Sequence, residues 1–366
     1  MRKQESLAAC ILLAGHIALA VNPPAVEWTR TFAGWADATG RCIHQTDDGG
    51  YIAVGTTSSP DSLVGALLLV KSQASGDTQW VRTFKAAGGM MGSSVVQTSD
   101  GGYIVAGGAS ADRGHWDACL LKTDASGNEL WRSLLANLFS TRAYSVVRLG
   151  DTGYTVVAQR YLGDSAVILW RTDNMGNFRW SHAYNVFYGL EARDEELSLR
   201  RTADGGYIIG ARTLLKVDSL GAQAQLRTFG SLTCANSVIQ TSDGGYAATG
   251  AKRPYYSSIY LLKMNANRDS VRAQTYMPTE CSRGHWVEQT SDGGYIIVGT
   301  TRPDSADFDK VTLVRTQPDG TLVWTDTLFT GYGYSVRQTA DGGYVVTGES
   351  GGLFVTKFAP EASKQR

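Results

Sequence analysis

The tetrapeptide Asp-Gly-Gly-Tyr recurs through the chain at near-regular intervals. Complete copies begin at Asp48, Asp100, Asp204, Asp243, Asp292 and Asp341, and a degenerate copy reads Asp151-Thr152-Gly153-Tyr154. The spacings from tyrosine to tyrosine are 52, 51, 53, 39, 49 and 49 residues. A period of this size is typical of solenoids, propellers and other repeat arrays. The sequence therefore predicts seven similar structural units.

Each unit contains four short runs with strand character. In the second unit these are Ser94–Thr98, Tyr103–Gly107 and Ala118–Thr123, followed by a run that begins at Glu129. Several runs are almost wholly apolar, as expected for sheets that are covered on both faces. The glycines of the Asp-Gly-Gly turn supply positive φ, and the Asp can accept hydrogen bonds from the turn's own amides. A calcium loop gathers several oxygen ligands, so we interpret this single Asp as a turn residue.

A tryptophan occupies the same position of the fourth run in five units. These residues are Trp28, Trp80, Trp131, Trp180 and Trp324. A large ring at a fixed repeat position indicates packing between neighbouring units, where burial contributes about 2–3 kcal/mol per side chain.

The two ends of the repeat region complement each other. The last unit has three runs, at 334–339, 344–348 and 353–358, and lacks a fourth. An unassigned run near the N-terminus, Glu27–Phe32, resembles the fourth run at Gln79–Phe84. A closed ring gains from this offset because the N-terminal strand completes the last sheet and removes an open edge. We therefore predict an all-β fold: a single seven-bladed β-propeller of four-stranded blades over residues 21–366, closed by the N-terminal strand.

The balance of charge and the pattern of the first 20 residues exclude some classes of function. The chain has 34 Lys+Arg and 34 Asp+Glu, without the basic excess of a nucleic-acid partner. Residues 1–20 carry an N-terminal basic pair, an apolar stretch and Ala18-Leu19-Ala20, a pattern typical of a cleaved signal peptide. We therefore expect a secreted or periplasmic, monomeric protein without an integral membrane segment in its mature chain.

Four cysteines remain after removal of the leader: Cys42, Cys119, Cys234 and Cys281. An even number in an exported protein permits disulfides, and Cys234 with Cys281 is the best candidate pair. The alternative that we favour is four small buried thiols. No metal-ligand spacing or cofactor motif occurs, so we expect no metal and no cofactor.

The repeat also resembles a known family. The Asp-Gly-Gly-Tyr turn followed by Lys122-Thr123-Asp124-Ala125-Ser126-Gly127-Asn128-Glu129-Leu130-Trp131 resembles the bacterial secreted propellers built from DGGY repeats. The second segment also looks like the tryptophan-docking motif of quinoprotein-type propellers. This resemblance covers about residues 26–358 and implies the propeller fold. Some similar proteins carry dehydrogenase or endoglucanase labels, so it also implies enzyme alternatives.

Loops joining fourth to first strands and second to third strands share one face of a propeller, and here they vary most. Binding residues concentrate in variable loops on a rigid scaffold. We therefore predict a ligand-binding face that carries Trp35, His115, Trp116, Tyr161, Arg193, Tyr255, Arg283, His285, Trp286 and Tyr332. Arg-Gly-His-Trp occurs twice, at Arg113–Trp116 and Arg283–Trp286, but at different repeat positions, which indicates coincidence.

One loop on this face is acidic. Glu191, Asp194 and Glu195 are the candidate catalytic residues, because glycoside hydrolysis needs two carboxylates at a set separation. A solvated charged loop is the interpretation that we favour.

A polar residue recurs near the end of every first strand. The set is Gln45, Gln97, Arg148, Arg201, Gln240, Gln289 and Gln338. If first strands are innermost, these side chains form a ring around the central channel. We favour the interpretation that each amide satisfies backbone groups between blades; the alternative is a channel lined for polar ligands.

These observations favour a binding or scaffold module for a glycan or protein ligand. A carbohydrate-active hydrolase or lyase is the second interpretation, and a quinone-dependent dehydrogenase is the third. Fold alone does not separate them.

Overall fold

Seven four-stranded antiparallel sheets make up the structure. It is a computed structural model that describes residues 22–32, 37–59, 62–112, 114–135, 140–161, 166–185, 197–211, 213–222, 225–227, 233–252, 258–277, 282–302 and 308–361. Apart from one 3-10 turn at Gly150–Thr152, every regular element in these ranges is a strand. The predicted all-β propeller with seven four-stranded blades is confirmed.

The strands follow the sequence repeat. Blade 1 contains β2 (Thr39–Gln45), β3 (Tyr51–Ser59), β4 (Ser62–Ser72) and β5 (Thr78–Phe84). Blade 2 contains β6 (Gly89–Gln97), β7 (Tyr103–Ser110), β8 (Trp116–Thr123) and β9 (Glu129–Leu135). Blade 3 contains β10 (Thr141–Arg148), β11 (Tyr154–Arg160), β12 (Ala166–Thr172) and β13 (Phe178–Tyr184). Blade 4 contains β14 (Ser198–Arg201), β15 (Tyr207–Gly210), β16 (Leu214–Val217) and β17 (Gln225–Arg227).

The remaining three blades have the same order. Blade 5 contains β18 (Thr233–Gln240), β19 (Tyr246–Lys252), β20 (Ile259–Met264) and β21 (Ser270–Tyr276). Blade 6 contains β22 (Arg283–Gln289), β23 (Tyr295–Thr301), β24 (Lys310–Thr316) and β25 (Leu322–Thr330). Blade 7 contains β26 (Tyr332–Gln338), β27 (Tyr344–Glu349), β28 (Leu353–Phe358) and the N-terminal β1 (Val26–Phe32).

The first strand of every blade is innermost. Each one contacts the first strand of the next blade, and β26 contacts β2 across the closure. The chain therefore surrounds a central channel. The Asp-Gly-Gly turns lie at one end of it, which we call the turn face. The connections from second to third and from fourth to first strands lie at the other end, which we call the loop face.

The N-terminal strand closes the ring as predicted. β1 pairs antiparallel with β28, from Trp28 opposite Lys357 to Phe32 opposite Leu353. The amide of Ala359 continues the pairing by donating to the carbonyl of Ala25 over 2.9 Å. The last blade thus takes its outer strand from the opposite end of the chain, so the ladder ties the two ends together.

Tryptophans of the fourth strands pack between blades. Trp80 of blade 1 lies edge-on against Tyr103 of blade 2, with ring centroids 5.8 Å apart. It also covers Gly127, where φ is +79° and an added Cβ would lie 2.8 Å from the indole. Equivalent contacts join Trp28 to Tyr51, Trp131 to Tyr154 and Trp324 to Tyr344. The predicted role of these tryptophans in packing is confirmed.

The Asp of each complete turn organises both the turn and the third strand. Asp100 Oδ1 accepts hydrogen bonds from Thr98 Oγ1 at 2.6 Å and from the Gly102 amide at 3.0 Å. Its other oxygen lies 2.9 Å from Lys122 Nζ, whose side chain is only 6% exposed. The same pairing recurs for Lys71–Asp48, Lys216–Asp204, Lys263–Asp243, Arg315–Asp292 and Lys357–Asp341. The Asp is a structural turn residue, as predicted, and it also neutralises a buried cation.

The first prediction concerns closure. A chain that starts at residue 33 should melt well below one that starts at residue 21. Losing β1 exposes the buried β28 and opens the ring, at a cost of roughly 5 kcal/mol or more. Calorimetric melting of the two chains measures the difference. Equal melting temperatures would show that β1 does not hold the ring closed.

The second prediction concerns the turn pair. Asp100→Ala should destabilise the fold by about 2 kcal/mol, because it leaves the buried Lys122 ammonium without its counter-ion. The matched control is Asp151→Ala in blade 3, where the Asp accepts from the exposed Ser99 hydroxyl and has no lysine or arginine partner within the described ranges. The control should change stability by less than about 0.5 kcal/mol. Denaturant unfolding compares the two, and equal losses would contradict the role of Lys122.

The third prediction concerns acid. Burial raises the pKa of Asp48 and Asp100, but hydrogen bonds from the neighbouring threonine and lysine outweigh it and hold each at about 2. Asp204, Asp243 and Asp341 also have a pKa of about 2. Because the pKa of these carboxyls is lower in the folded chain than in the unfolded chain, their ionisation stabilises the fold. This stabilisation is complete above the unfolded pKa of about 4 and is lost as the pH falls toward 2. Melting temperatures should therefore drop steeply between about pH 4 and pH 2. A melting temperature that does not change between about pH 4 and pH 2 would contradict the stabilising role of these ionised aspartates.

Candidate functional site

Most first strands are interrupted by a β-bulge near the loop face. The pairing register between first and second strands skips one residue in six of the seven blades. The skipped residues are Arg41, Ser93, Tyr144, Asn236, His285 and Tyr334. Several contact the adjacent blade: Asn236 Nδ2, for example, donates to the Gly284 carbonyl over 2.9 Å. A bulge re-aims one side chain, so the repeat presents a variable position at the loop end of the channel.

The bulge has a sequence signature that the repeat alignment did not reveal. A small residue precedes each bulge residue, and a glycine often lies opposite in the second strand. A Cβ added at Gly107 would lie 1.9 Å from the Met91 carbonyl oxygen, and one added at Gly92 would lie 2.5 Å from Val54. The backbones therefore approach too closely for a side chain. Glycine at both repeat positions is the signal that could have located the bulge.

An aromatic and cationic cluster lies between blades 2 and 3 on the loop face. The Arg142 guanidinium lies 4.9 Å from the Trp116 ring centroid and 5.5 Å from that of Tyr161. The hydroxyls of Tyr144 and Tyr161 are hydrogen-bonded to each other. We call Trp116, Arg142, Tyr144 and Tyr161 the blade 2–3 cluster. Because cation–π and hydrogen-bond contacts fix these side chains, they form a pre-ordered surface.

A second cluster spans blades 6, 7 and 1. Tyr334 packs edge-on against His285 at 5.0 Å and stacks with Tyr332 at 6.3 Å. The Arg41 guanidinium lies 4.3 Å from the Tyr334 ring centroid. A hydrogen bond to Asp309, followed by burial, raises the pKa of Tyr332. His285, Tyr332, Tyr334 and Arg41 come from three blades, so closure of the ring assembles this cluster.

The predicted loop-face residues are distributed over several environments. Trp116, Tyr161 and Tyr332 lie in the two clusters, and His115 Nε2 lies 3.3 Å from Asp117. Arg283, His285 and Trp286 belong to β22, where His285 is only 3% exposed. His285 is therefore a packing partner of Tyr334 beneath the surface. Trp35, Arg193, Tyr255, Glu191, Asp194 and Glu195 lie outside the described residues.

The polar ring at the turn end of the channel joins adjacent blades. The amide oxygen of Gln97 accepts from the Asp47 backbone amide of the preceding blade at 2.9 Å. Four further glutamines make the same bond at 2.7–2.8 Å: Gln240 with Ala203, Gln289 with Ser242, Gln338 with Ser291 and Gln45 with Ala340. The favoured interpretation, that the amides satisfy backbone groups between blades, is confirmed. The last of these bonds crosses the closure.

Four polar residues that each precede a ring residue in the sequence meet inside the channel: His44, Arg200, Glu288 and Arg337. Arg337 Nη1 donates to Glu288 Oε2 at 2.8 Å, and its Nη2 lies 2.9 Å from His44 Nε2. Burial, then the charges of Arg337 and Arg200, hold the pKa of His44 well below its usual value. His44 is therefore a neutral acceptor. Each of the four directly precedes a ring residue in the sequence, but the repeat pattern did not single them out.

The Trp286 indole lies between the guanidinium groups of Arg200 and Arg337. The Trp286 ring centroid lies 4.3 Å from the Arg200 guanidinium of blade 4 and 4.4 Å from that of Arg337 in blade 7. Most other blades place a serine at this position, where its hydroxyl accepts from the next blade's backbone, as Ser237 does from Val287. Trp286 is thus a channel residue, whereas the sequence predicted that it lies on the loop face.

A cavity lies at the turn-face end of the channel. Its volume is about 460 Å³, and its lining is His44, Gln45, Arg200, Arg201, Ile239, Gln240, Glu288, Gln289, Arg337 and Gln338. We call this the turn-face cavity. Arginines contribute three positive charges and Glu288 contributes one negative charge. The cavity lies at the opposite end of the channel from the face that the sequence predicted.

The described ranges offer few other candidates for function among metal ligands, membrane-spanning helices and cysteines. They hold no group of three or more His, Cys, Asp or Glu side chains arranged for a metal ion. They also contain no helix with the length and apolarity needed to cross a bilayer. Cys42 and Cys119 are buried free thiols, and burial raises the pKa of Cys119 to about 12. The predicted Cys234–Cys281 pair lies outside the described side chains.

Comparison with known proteins identifies the fold. No family model and no curated protein matches the chain. Among solved structures, the WD40 propeller domain of Doa1 is 11% identical, with a TM-score of 0.62 and coverage of 94% of this chain and 98% of that one. A catalytically inactive virginiamycin B lyase from Staphylococcus aureus with quinupristin is 9% identical, with a TM-score of 0.61 and coverage of 90% and 98%.

A third similar structure is YCF48 bound to D1 peptide, which is 11% identical, with a TM-score of 0.57 and coverage of 94% and 100%. At these identities the likeness establishes the β-propeller architecture over nearly the whole of each chain.

Proposed function

We propose that this chain is an exported binding module that holds a protein or glycan ligand on its loop face. The observation that carries the proposal is the blade 2–3 cluster, where Arg142 lies against both Trp116 and Tyr161. Tryptophan, tyrosine and arginine dominate the energetics of binding surfaces because they combine large contact area with directed polar groups. Aromatic faces also offer apolar platforms with a polar edge.

The scaffold beneath this cluster is rigid. Trp116 begins β8, and its backbone amide donates to Ser140 Oγ at 3.1 Å. The Tyr161 amide donates to the Ser140 carbonyl at 2.7 Å. Both aromatic residues are therefore fixed by the same residue between blades 2 and 3. A pre-ordered surface loses little side-chain entropy on binding, which favours affinity.

Asp309, whose carboxylate is hydrogen-bonded to Tyr332 of the second cluster, is also paired with an arginine. Arg302 donates from Nε and Nη2 to the two oxygens of Asp309 at 2.9 and 3.1 Å. A bidentate pair of this kind is a structural contact. The solved complex of YCF48 with a peptide is consistent with a peptide ligand for a propeller of this shape.

Export is part of the proposal. It is supported by the basic, apolar and small-residue order of residues 1–20. N-terminal sequencing of the protein recovered outside the cytoplasm should begin near Val21.

The fourth prediction tests the loop face. The chain from residue 21 is screened against a glycan array and a peptide array, and hits are measured by calorimetric titration. Trp116→Ala should weaken binding at least tenfold, about 1.4 kcal/mol, because it removes the ring that holds Arg142 and contacts the ligand.

The control is Phe178→Ala, which removes an aromatic ring that is 57% exposed on the outer strand β13. It should leave affinity unchanged. Equal affinities for both variants and the parent chain would reject the blade 2–3 cluster as the site. Failure of both arrays would reject the proposed ligand classes.

A further inference from the structure

The turn-face cavity carries an excess of positive charge. Arg200, Arg201 and Arg337 line it, with Glu288 as its carboxylate. His44 is neutral and accepts a hydrogen bond from Arg337, so it neither adds to the charge nor offsets it. The cavity wall therefore holds two more cationic than anionic groups.

Both carboxylate oxygens of Glu288 already accept hydrogen bonds from neighbouring residues. Its Oε2 accepts from Arg337 at 2.8 Å, and its Oε1 accepts from the Gln338 backbone amide at 3.1 Å. Arg337 also donates from Nε to the Ile43 carbonyl at 3.4 Å. Arg337 and Glu288 thus form a closed pair between blades 6 and 7.

Arg200 has no such carboxylate partner among the described residues. Its Nη1 donates to the Leu199 carbonyl at 3.0 Å, while its buried Nη2 has no hydrogen-bond partner in the described part of the chain. One face of the guanidinium is covered by Trp286 at 4.3 Å. Burial and the nearby Arg337 charge lower the pKa of Arg200 to about 9, against the attraction of Glu288. A buried cation without a counter-ion is costly and invites an anion.

The fold itself does not require a cation here. The equivalent position is apolar in blades 2, 3 and 5, where it holds Val96, Val147 and Ile239. Arg201 likewise replaces the glutamine that five other blades use to bridge to their neighbours. Two adjacent departures from the repeat thus place two arginines at one wall of the same cavity.

We propose that the turn-face cavity is an anion-binding site in which Arg200 and Arg201 hold a carboxylate or phosphate group of a ligand. The planar guanidinium of Arg200 is oriented by Trp286, which suits paired hydrogen bonds to two oxygens of such a group. A volume of about 460 Å³ is larger than a bare ion needs, so the group is carried on a small molecule or a chain end. This site is separate from the proposed loop-face function, because it opens at the other end of the channel.

The fifth prediction tests this site with the chain from residue 21. Acetate, phosphate, and an acetylated dipeptide with a free or an amidated C-terminus are titrated at constant ionic strength, with chloride as the reference. Thermal melting and calorimetric titration should show saturable binding of at least one oxyanion. Binding of phosphate or acetate without a preference for the free-acid dipeptide identifies the phosphate or carboxylate group of a small molecule, whereas a preference for the free-acid dipeptide over its amide identifies a chain end.

Substitutions that follow the repeat keep the fold intact. Arg200→Ile copies the residue of blade 5 and should abolish saturable binding, while the unliganded chain melts no lower than the parent. Arg201→Gln copies the ring glutamine and should weaken binding about tenfold, one charge-assisted contact of about 1.4 kcal/mol. Arg148→Gln is the matched control, since Arg148 occupies the same repeat position in blade 3 but does not line the cavity; it should leave binding unchanged.

Three results would overturn the proposal. One is the absence of saturable binding by the parent chain to every probe. Another is unchanged binding in Arg200→Ile. The third is an equal loss in Arg201→Gln and Arg148→Gln, which would indicate general charge attraction. Trp116→Ala should have no effect on oxyanion binding, so this test fails or succeeds independently of the loop-face proposal.

Discussion

Pairing of β1 with β28 is the constraint on which the rest of the structure depends. A propeller blade buries both faces against its neighbours, so an incomplete seventh blade would expose apolar surface on two blades at once. The ladder from Trp28 to Phe32 supplies the missing strand and brings blade 7 against blade 1. The contact between Arg41 and Tyr334 and the bond from Ala340 to Gln45 both cross this closure. The two ends of the channel therefore exist because the ring is shut.

Within the closed ring, the residues that recur in the repeat stabilise the fold, and the residues that depart from the repeat make individual blades different. The turn pairs of Asp with Lys or Arg, the tryptophan contacts and the glutamine bridges recur in most blades, where they neutralise a buried cation, pack between blades and bond backbone amides. Departures from the repeat concentrate in the channel. Arg200, Trp286 and Arg337 replace smaller or uncharged residues of other blades, and Trp286 contacts both arginines across it. Such clustering indicates that the channel is specialised, although the surrounding framework is uniform.

The candidate site was only partly predictable. Trp116, Tyr161 and Tyr332 lie on the loop face as expected, because the order of strands assigns each loop to one end of the channel. Trp286 does not, because its position depends on whether a first-strand residue precedes or follows the bulge. The turn-face cavity was missed because its residues come from blades 1, 4, 5, 6 and 7, and the repeat alignment does not show that they converge. Only their convergence in space creates an excess of positive charge.

The sequence by itself determined the number of blades, their four strands, the closing strand and the roles of the turn aspartates, the packing tryptophans and the bridging glutamines. These follow from local turn chemistry and from a periodicity that any aligned repeat displays. The tertiary structure alone decided which side chains meet: the bulge that turns Tyr144 and Tyr334, the neutral His44 beside Arg337, and the Arg200 Nη2 that has no hydrogen-bond partner in the described ranges. The physical reason is that radial packing joins residues from different repeats, and the distance between them depends on ring closure.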